Sequence, residues 1–276
     1  MKTGFITFET MKYDEFIPAA SELGFEYVEV MMPYIAPGNE LGRQYLSTQK
    51  EEISTALERA DIDFQVHLPH AIDIAAPSEQ IRQAGVAELK DCLDIAGELD
   101  ANKAVIHPTS SARKRTWDDD IVRGWILDSI RELDDYGKEC GVELCMENIP
   151  GSRFTISDFD QFFAEADCSM TLDIGHARIS GHDDTQLAAF LEEHHDRVSH
   201  VHINDNKQFI AGTGGRPADD HVPTGSGDTD FARILEPLVK TGWPGTLSLE
   251  VQTQNLEYIA VSKEQFDEML PENVAQ

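Results

Sequence analysis

The sequence predicts an α/β fold in which eight parallel strands close into one (β/α)8 TIM barrel. Short apolar segments alternate with longer amphipathic segments along the whole chain, which is typical of a parallel sheet covered by helices on both faces. Eight such β-α units fit into 276 residues, a length at which barrels commonly form one unit. No linker or low-complexity block interrupts them, so we expect residues 1–276 to form a single domain.

An open, doubly wound sheet is the alternative fold. It is disfavoured because the first predicted strand is not followed by the GxGxxG turn with which such sheets bind dinucleotides. The predicted strands, in chain order, are Thr3–Phe8, Phe25–Met31, Ile62–Leu68, Lys103–His107, Val142–Glu147, Ser169–Ile174, Val198–Ile203 and Thr246–Val251.

Apolar residues three and four positions apart predict the helices between these strands, most plainly over Ser78–Leu99. Ser78, Ser157 and Asp228 precede predicted helices and are of residue types that cap helix N-termini. Glycines mark the predicted helix ends ahead of the next strand, at Gly24, Gly141 and Gly242.

The chain carries 51 acidic residues against 22 basic ones, a formal net charge of −29. Hydrophobic residues still make up 41% of the chain, enough for a sizeable core, so this acidity is not that of a disordered tail. Proteins bind nucleic acids and anionic membranes through an excess of Lys and Arg, so the charge disfavours the first partner and argues against the second. We interpret the evenly spread acids as adaptation to a halophilic cytoplasm, where salt screens their repulsion.

The four cysteines indicate a reducing compartment. Cys92, Cys140, Cys145 and Cys168 form no CxxC pair and no zinc-ribbon spacing, so no disulfide framework is expected. The N-terminus lacks the apolar core of a signal peptide, and no apolar run approaches the roughly 18 residues of a membrane span. We therefore expect a cytoplasmic enzyme.

Ionisable side chains lie at the carboxyl ends of seven of the eight predicted strands. Because these ends converge on one mouth of a barrel, where active sites of this fold lie, the side chains should meet there. One such residue is commonly structural, but seven strand ends together indicate a functional site. The residues are Glu29, His67, His107, Glu147, Asp173, His176, His202, Asp205 and Glu250.

Converging carboxylates repel one another unless protons or cations neutralise them. Mixed His, Asp and Glu ligands suit Zn²⁺, Mn²⁺, Fe²⁺ or Co²⁺, whereas the lack of Cys at the strand ends argues against a structural zinc. The sequence therefore predicts a catalytic site for a divalent metal ion. His200 lies on the same side of its strand as His202, so we expect it one layer deeper, as support or packing.

The segment after the seventh strand, Asn204–Asp228, is too long for a simple β-α connection. Long loops in compact domains are commonly functional. Its glycine-rich end, Gly225–Gly227, leads into a predicted helix start where barrels often bind phosphate, although the glycines taken by themselves favour a plain turn.

Arg153, Arg178 and Arg216 follow the fifth, sixth and seventh strands. At these positions a guanidinium could bind an anionic substrate group or pair with the abundant acids. His70 and His182 fall in predicted loops, where either could contact substrate.

Five motifs carry a resemblance to a known superfamily: Gly24–Glu29, Leu172–His176, His202–Asp205, Asp220–Asp228 and Leu249-Glu250. They resemble the xylose isomerase-like TIM barrels, which include sugar phosphate isomerases and epimerases and the endonuclease IV-like nucleases of AP endonuclease family 2. The resemblance covers nearly the whole chain and implies a (β/α)8 barrel.

The resemblance also implies a set of metal ligands. Relatives with one metal ion use Glu, Asp, His and Glu, which are matched here by Glu147, Asp173, His202 and Glu250. The nuclease branch binds three zinc ions through five further ligands, and these positions are matched by His67, His107, His176, Asp219 and His221. The cofactor implied is therefore one to three divalent ions, Zn²⁺ or Mn²⁺.

Two activities follow from the resemblance. In the isomerase and epimerase branch, Glu147 and Glu250 would exchange a proton with the carbon beside a carbonyl through an enediolate, with His176 orienting a substrate oxygen. In the nuclease branch, a metal-activated water would attack a phosphodiester of abasic DNA.

We favour the first activity, on a small carbohydrate or sugar phosphate. His70-Ala71 stands where the nuclease branch has bulky DNA-intercalating residues, and Gly24–Glu29 is similar to the isomerase and epimerase group. A nuclease or other metallophosphoesterase is the alternative, and a metal lyase or a binding protein is the third.

If the acidic surface is adapted to salt, the free energy of unfolding should rise with salt concentration, because counterions screen the repulsion among the acidic side chains. Urea unfolding in low salt and in molar KCl measures this. Equal stability under the two conditions would contradict the halophilic interpretation.

Overall fold

The computed structural model describes residues 1–7, 12–32, 42–206 and 219–270. Eight parallel strands form a closed barrel in which each strand pairs with its neighbours in sequence and the last returns to the first. The predicted (β/α)8 barrel is confirmed. The strands are β1 (Lys2–Thr7), β2 (Tyr27–Met31), β3 (Asp63–His67), β4 (Lys103–Ile106), β5 (Glu143–Glu147), β6 (Ser169–Asp173), β7 (Val198–Ile203) and β8 (Thr246–Leu249).

The predicted strand ends lie within two residues of the observed ones, except that Phe8 is outside the described residues. The described helices are α1 (Tyr13–Glu22), α2 (Gly42–Ala60), α3 (Glu79–Glu98), α4 (Asp119–Cys140), α5 (Phe159–Glu165), α6 (Ile174–Ile179), α7 (Asp184–His194), α8 (Phe231–Thr241) and α9 (Leu256–Met269). None of the helices in these ranges combines the length and the apolar character needed to cross a membrane.

Capping interactions correct two of the predicted helix starts. A short 3-10 helix, Ile156–Asp158, begins after Thr155 rather than at Ser157, because the Asp158 carboxylate accepts hydrogen bonds from the backbone N–H and the hydroxyl of Thr155. The cap of α8 is Asp230, whose side chain accepts from a backbone N–H in the first turn, and not Asp228.

The other predicted boundaries agree with the structure. Ser78 stands directly before α3, although its side chain makes no capping hydrogen bond. Gly141 and Gly242 end α4 and α8 in the left-handed conformation that glycine adopts without steric cost. These turns feed the chain directly towards β5 and β8.

The apolar core lies between the barrel and its helices. Strand residues alternate in direction, so Val28 and Val30 of β2, like Val201 and Ile203 of β7, are buried on the outer side. The alternate residues face the barrel interior, which most barrels fill with aliphatic side chains. Here many of them are polar and buried: Glu29, Gln65, Thr171, His200, Thr246 and Ser248.

Two glycines of α4 should respond in opposite directions to replacement by alanine. A Cβ at Gly124 meets nothing within 4 Å, so Gly124→Ala should raise the free energy of unfolding by about 0.5–1 kcal/mol through helix propensity. A Cβ at Gly137 would lie 2.9 Å from the carbonyl oxygen of Val142, so Gly137→Ala should lower it by about 1–3 kcal/mol. Urea unfolding at one salt concentration measures both; shifts of the same sign would contradict the close packing of α4 on the entry to β5.

Candidate metal centre

The carboxyl ends of the strands and the loops that follow them bring nine ionisable side chains together at one mouth of the barrel. They form three groups, and within each group one ligand atom per residue lies within 4.8 Å of the others. All nine predicted metal ligands belong to these groups. We call Glu147, Asp173, His202 and Glu250 the central group, His67, His107 and Glu147 the β3–β4 group, and His176, Asp219 and His221 the loop group.

The central group is buried, and its ligand atoms face one another. His202 points its Nδ1 atom towards Glu250 Oε2 at 3.1 Å, Glu147 Oε1 at 3.7 Å and Asp173 Oδ2 at 3.8 Å. Among the described residues, none satisfies the hydrogen-bonding geometry of Glu147 Oε1, His202 Nδ1 or Glu250 Oε2. Buried polar atoms are normally paired, so three convergent orphans of this chemistry fit a divalent cation.

The ionisation states of the central group depend on one another. Burial opposes ionisation of Glu250, but His221 and His202 lower its pKa to about 2. Burial raises the pKa of Asp173 to about 7, and the charges of Glu250 and Glu147 add to the rise. Burial likewise opposes protonation of His202, yet the surrounding carboxylates raise its pKa well above its usual value. In the absence of a cation these carboxylates draw protons onto the imidazoles; a divalent ion supplies the same positive charge and binds neutral imidazole.

Glu147 faces the β3–β4 group through its second oxygen. Its Oε2 lies 2.9 Å from His107 Nε2 and 3.3 Å from His67 Nε2. The Nδ1 atom of His67 lies 2.9 Å from the carbonyl oxygen of Leu68, so its N–H can be donated there and its Nε2 lone pair turned to the group. The two oxygens of Glu147 thus serve different groups, as the oxygens of a bridging ligand do.

The loop group lies at the more exposed side of the mouth. The half-exposed carboxylate of Asp219 places Oδ1 3.0 Å from His221 Nε2 and Oδ2 3.1 Å from His176 Nε2. Burial opposes protonation of His221, but Glu250 and Asp219 raise its pKa to about 10. This group, too, combines an acid with two imidazoles in a chemistry suited to a divalent ion.

The backbone around His221 is held in a conformation that few residues other than glycine adopt, with φ of 42°. An antiparallel bridge between Asp205 and Val222 fixes the chain on one side of it. The backbone N–H of Gln252 donates to the carbonyl oxygen of His221 on the other. These bonds attach the end of the long loop to β7 and to the segment after β8.

Two asparagines for which the sequence predicted no function hold Asp173 in place. Asn148 bonds both the N–H and the carbonyl oxygen of Asp173, and the Asn204 amide donates to Asp173 Oδ2 at 2.8 Å. Gly175 makes room for this arrangement, because a Cβ there would lie 1.8 Å from Asn204 Oδ1. Asn204 follows His202 by two residues, just past the end of β7, so the alternation of the strand places the two side chains on the same face. This spacing was the one feature of the sequence that could have indicated a role for Asn204.

The structure favours one of the two readings of the arginines. Arg178 donates to the carboxylates of Asp184 and Asp228, and Arg153 Nε lies 2.7 Å from a carboxylate oxygen of Asp119. Both guanidinium groups are therefore paired with acids outside the three groups. Arg216 lies outside the described residues.

The two loop histidines lie in different environments. His70 is exposed, with its ring centroid 5.8 Å from that of His107, so it borders the mouth. His182 Nε2 lies 3.1 Å from the hydroxyl of Ser157, and neither residue belongs to the three groups. Of the two, His70 is the one placed beside a predicted ligand.

The sequence as a whole matches a family model described as xylose isomerase-like TIM barrel, over residues 17–270. This chain belongs to that family. The resemblance predicted from the five motifs is therefore confirmed, and the closed barrel agrees with it.

This chain is also similar to two solved structures and to one relative in sequence. A solved D-tagatose 3-epimerase-like protein has a TM-score of 0.76 and 23% identity, over 98% of this chain and 97% of that one. The IolI protein, solved with a bound zinc atom, has a TM-score of 0.78 and 18% identity over the full length of both chains. The probable endonuclease 4 of Mycobacterium leprae is 26% identical over 197 residues, which are 68% of this chain and 73% of the relative.

If the groups bind ions, the variants should lose metal according to group membership. Glu147→Ala should empty both the central and the β3–β4 groups, whereas Asp173→Ala should empty the central group alone. Dialysis against Zn²⁺ or Mn²⁺ followed by elemental analysis measures the content per chain. One ion in the unmodified protein that is lost in both variants indicates the central group alone, and three ions indicate all groups.

The matched control is Glu132→Gln, an acid on α4 that pairs with Lys90 on the outside of the molecule, and it should keep full metal content. Metal content unchanged in both the Glu147 and the Asp173 variants would contradict the assignment of the ligands.

Proposed function

We propose that this protein is a divalent-metal-dependent isomerase or epimerase of a small sugar or sugar phosphate, with Zn²⁺ or Mn²⁺ in the central group. The observation that carries the proposal is the buried pair Glu147 and Glu250. Glu147 is the last residue of β5, and Glu250 directly follows β8. Because β6 and β7 lie between these two strands in the barrel, the two carboxylates reach the centre from different sides. Each keeps one oxygen free of hydrogen bonds within the described residues.

A divalent ion held by the central group would polarise adjacent substrate oxygens and acidify the hydrogen on the carbon next to the carbonyl. Glu147 and Glu250 would move that proton. One carboxylate removes it, and the carbon–hydrogen bonding pair becomes part of an enediolate on the substrate. If the other carboxyl group is protonated when the substrate binds, it delivers its proton to the opposite face and gives an epimer; return of the abstracted proton to the neighbouring carbon gives an isomer.

His176 lies beside this pair, and we assign it to holding a substrate oxygen. Its Nδ1 is 2.9 Å from Glu147 Oε1, and its Nε2 is 3.1 Å from Asp219. Burial opposes protonation of His176, but Asp173 and Asp219 raise its pKa well above the usual value. His176 would hold the substrate oxygen through Nε2, with that oxygen replacing the half-exposed Asp219 carboxylate as the acceptor.

The charge of the protein and the fold that it shares with two solved proteins support a small substrate. A net charge of −29 repels a polyanionic duplex, and the fold is shared with the D-tagatose 3-epimerase-like protein and with zinc-bound IolI. One metal ion and one or two hydrogen-bond donors are enough to hold the oxygens of a small sugar. The central group would supply the ion, and His176 would supply a donor.

Hydrolysis of a phosphodiester is a second candidate, favoured by one specific observation. The β3–β4 and loop groups flank the central group, and Glu147 belongs to two of the three. Phosphoesterases use several ions side by side to activate a water molecule and to stabilise the leaving oxygen. The likeness to a probable endonuclease 4 is in the same direction.

Proton exchange with solvent distinguishes the two candidates without knowledge of the exact substrate. The protein is incubated in D₂O with Mn²⁺ or Zn²⁺ and a panel of ketoses, inososes and their phosphates, and NMR follows deuterium entering the carbon next to the carbonyl. We expect exchange and a new epimer or isomer for at least one sugar. Cleavage of an oligonucleotide with an abasic site, with no exchange across the panel, would replace this proposal by the second candidate.

Glu250→Gln should lower the exchange rate by about 10²–10⁴-fold, because the amide cannot accept the proton. Glu132→Gln serves again as the control and should exchange at the unmodified rate. Full exchange in both Glu147→Gln and Glu250→Gln would contradict the assignment of the acid–base pair.

A further inference from the structure

Glu29 and His200 are ionisable residues of the barrel interior that belong to none of the three groups in the proposed function. Glu29 of β2 is completely buried. Its Oε1 lies 3.2 Å from His202 Nε2, and its Oε2 lies 2.9 Å from His200 Nε2 and accepts from the hydroxyl of Ser248. A buried carboxylate is costly unless it is well paired, so its presence calls for a reason beyond packing.

The contact with His202 suggests that reason, because it fixes which ring nitrogen is free. A neutral imidazole carries one N–H and one lone pair. If Nε2–H is donated to Glu29, the lone pair lies on Nδ1, the atom that faces Glu250, Glu147 and Asp173. Carboxylates that hold the far nitrogen of a ligand histidine orient the ring and increase its basicity.

Glu29 is itself held by a second layer of hydrogen bonds. Ser248 donates to Glu29, so the hydroxyl of Tyr27, 2.8 Å from Ser248 Oγ, donates to Ser248 in turn. His200 Nδ1 lies 2.7 Å from Thr246 Oγ1, which leaves its Nε2–H to be donated to Glu29 when the Thr246 hydroxyl donates to Nδ1. Every donor of this layer thus has an acceptor.

The sequence reaches this arrangement through the alternation of β2. Tyr27 and Glu29 are two residues apart and both face the barrel interior, at successive depths. Gly4 of the neighbouring strand leaves room for the Tyr27 ring, because a Cβ there would lie 2.5 Å from it. The ring fills the lower part of the barrel and brings its hydroxyl to Ser248.

We propose that Glu29 is the positioning residue of the metal centre: it holds His202 with the Nδ1 lone pair directed at the central group. This inference rests on the proposed function, since it presumes an ion there. Glu29 acts through His202 and does not touch the substrate.

A metal site made of Glu29, His200 and His202 themselves is the competing interpretation, since their ligand atoms also lie within 4.8 Å of one another. Hydrogen bonding separates the two. Within the described residues, the polar side-chain atoms of Glu29 and His200 all have partners, whereas Glu147 Oε1, His202 Nδ1 and Glu250 Oε2 have none. The satisfied layer needs no cation, and the unsatisfied layer above it does.

The test measures Co²⁺ affinity by competition with a chelator, the d–d absorption of the bound ion, and the thermal stability of the metal-free protein. Glu29→Gln should weaken Co²⁺ binding by about 10–100-fold and change the absorption spectrum, because the ring of His202 is no longer held in one tautomer and orientation. Glu132→Gln is the control: it makes the same change from acid to amide on the outside of the molecule, and should leave the Co²⁺ affinity within about twofold.

The outcomes separate this inference from the proposed function. If the unmodified protein binds Co²⁺ and Glu29→Gln binds it equally well with the same spectrum, Glu29 is merely structural and the inference is wrong, whatever its effect on stability. If the unmodified protein binds no Co²⁺, the proposed metal centre and this inference fall together.

A second variant covers the case in which Glu29→Gln does not fold. Ser248→Ala keeps the carboxylate but removes one of its hydrogen bonds, and should weaken Co²⁺ binding about fivefold, as the loss of one bond of about 1 kcal/mol predicts. Affinity equal to that of Glu132→Gln would overturn the inference.

Discussion

The repulsion among carboxylates buried at the mouth of the barrel is the constraint on which the rest of the site depends. Two unit charges about 4 Å apart repel by about 4 kcal/mol even at an effective dielectric constant near 20. Glu147, Asp173 and Glu250 all approach His202 Nδ1 within 3.8 Å, so they coexist only where bound protons or a cation offset their negative charge. In the absence of a metal, burial and the neighbouring carboxylates raise the pKa of Asp173 to about 7, and the surrounding carboxylates raise the pKa of His202.

This constraint explains why the barrel interior is polar. A ligand histidine with a free lone pair needs an acceptor for its other nitrogen, and that acceptor in turn needs donors. This need for paired donors and acceptors extends from His202 through Glu29 to His200 and Ser248. The layer of interior side chains below His202, which is aliphatic in most barrels, therefore consists of hydrogen-bonded groups. The hydrophobic core lies in the layer between strands and helices, where residues such as Val30 and Ile203 are buried.

The sequence anticipated some features well because they depend on local periodicity. The limits of β7, Val198–Ile203, follow from a short apolar run and were predicted without error. Predictions that depended on side-chain partners were less successful. Asp228 is of a residue type that caps helices, but its carboxylate pairs with Arg178, fifty residues away. Asp230 caps α8 instead. Asn148 and Asn204 lie next to predicted metal ligands in the sequence. Their bonds to Asp173, however, connect the ends of three strands, and no pattern within one strand indicates such bonds.

By itself the sequence determined the closed eight-strand barrel and the convergence of its His, Asp and Glu residues, because strand periodicity and the parallel order place those residues at one mouth. The tertiary structure alone decided how they divide into groups, that the two oxygens of Glu147 face different groups, and that Glu29 lies beneath His202. Those relations depend on the register between strands distant in sequence and on the direction of each side chain. Both are set when the barrel closes, and the local pattern of residues contains neither.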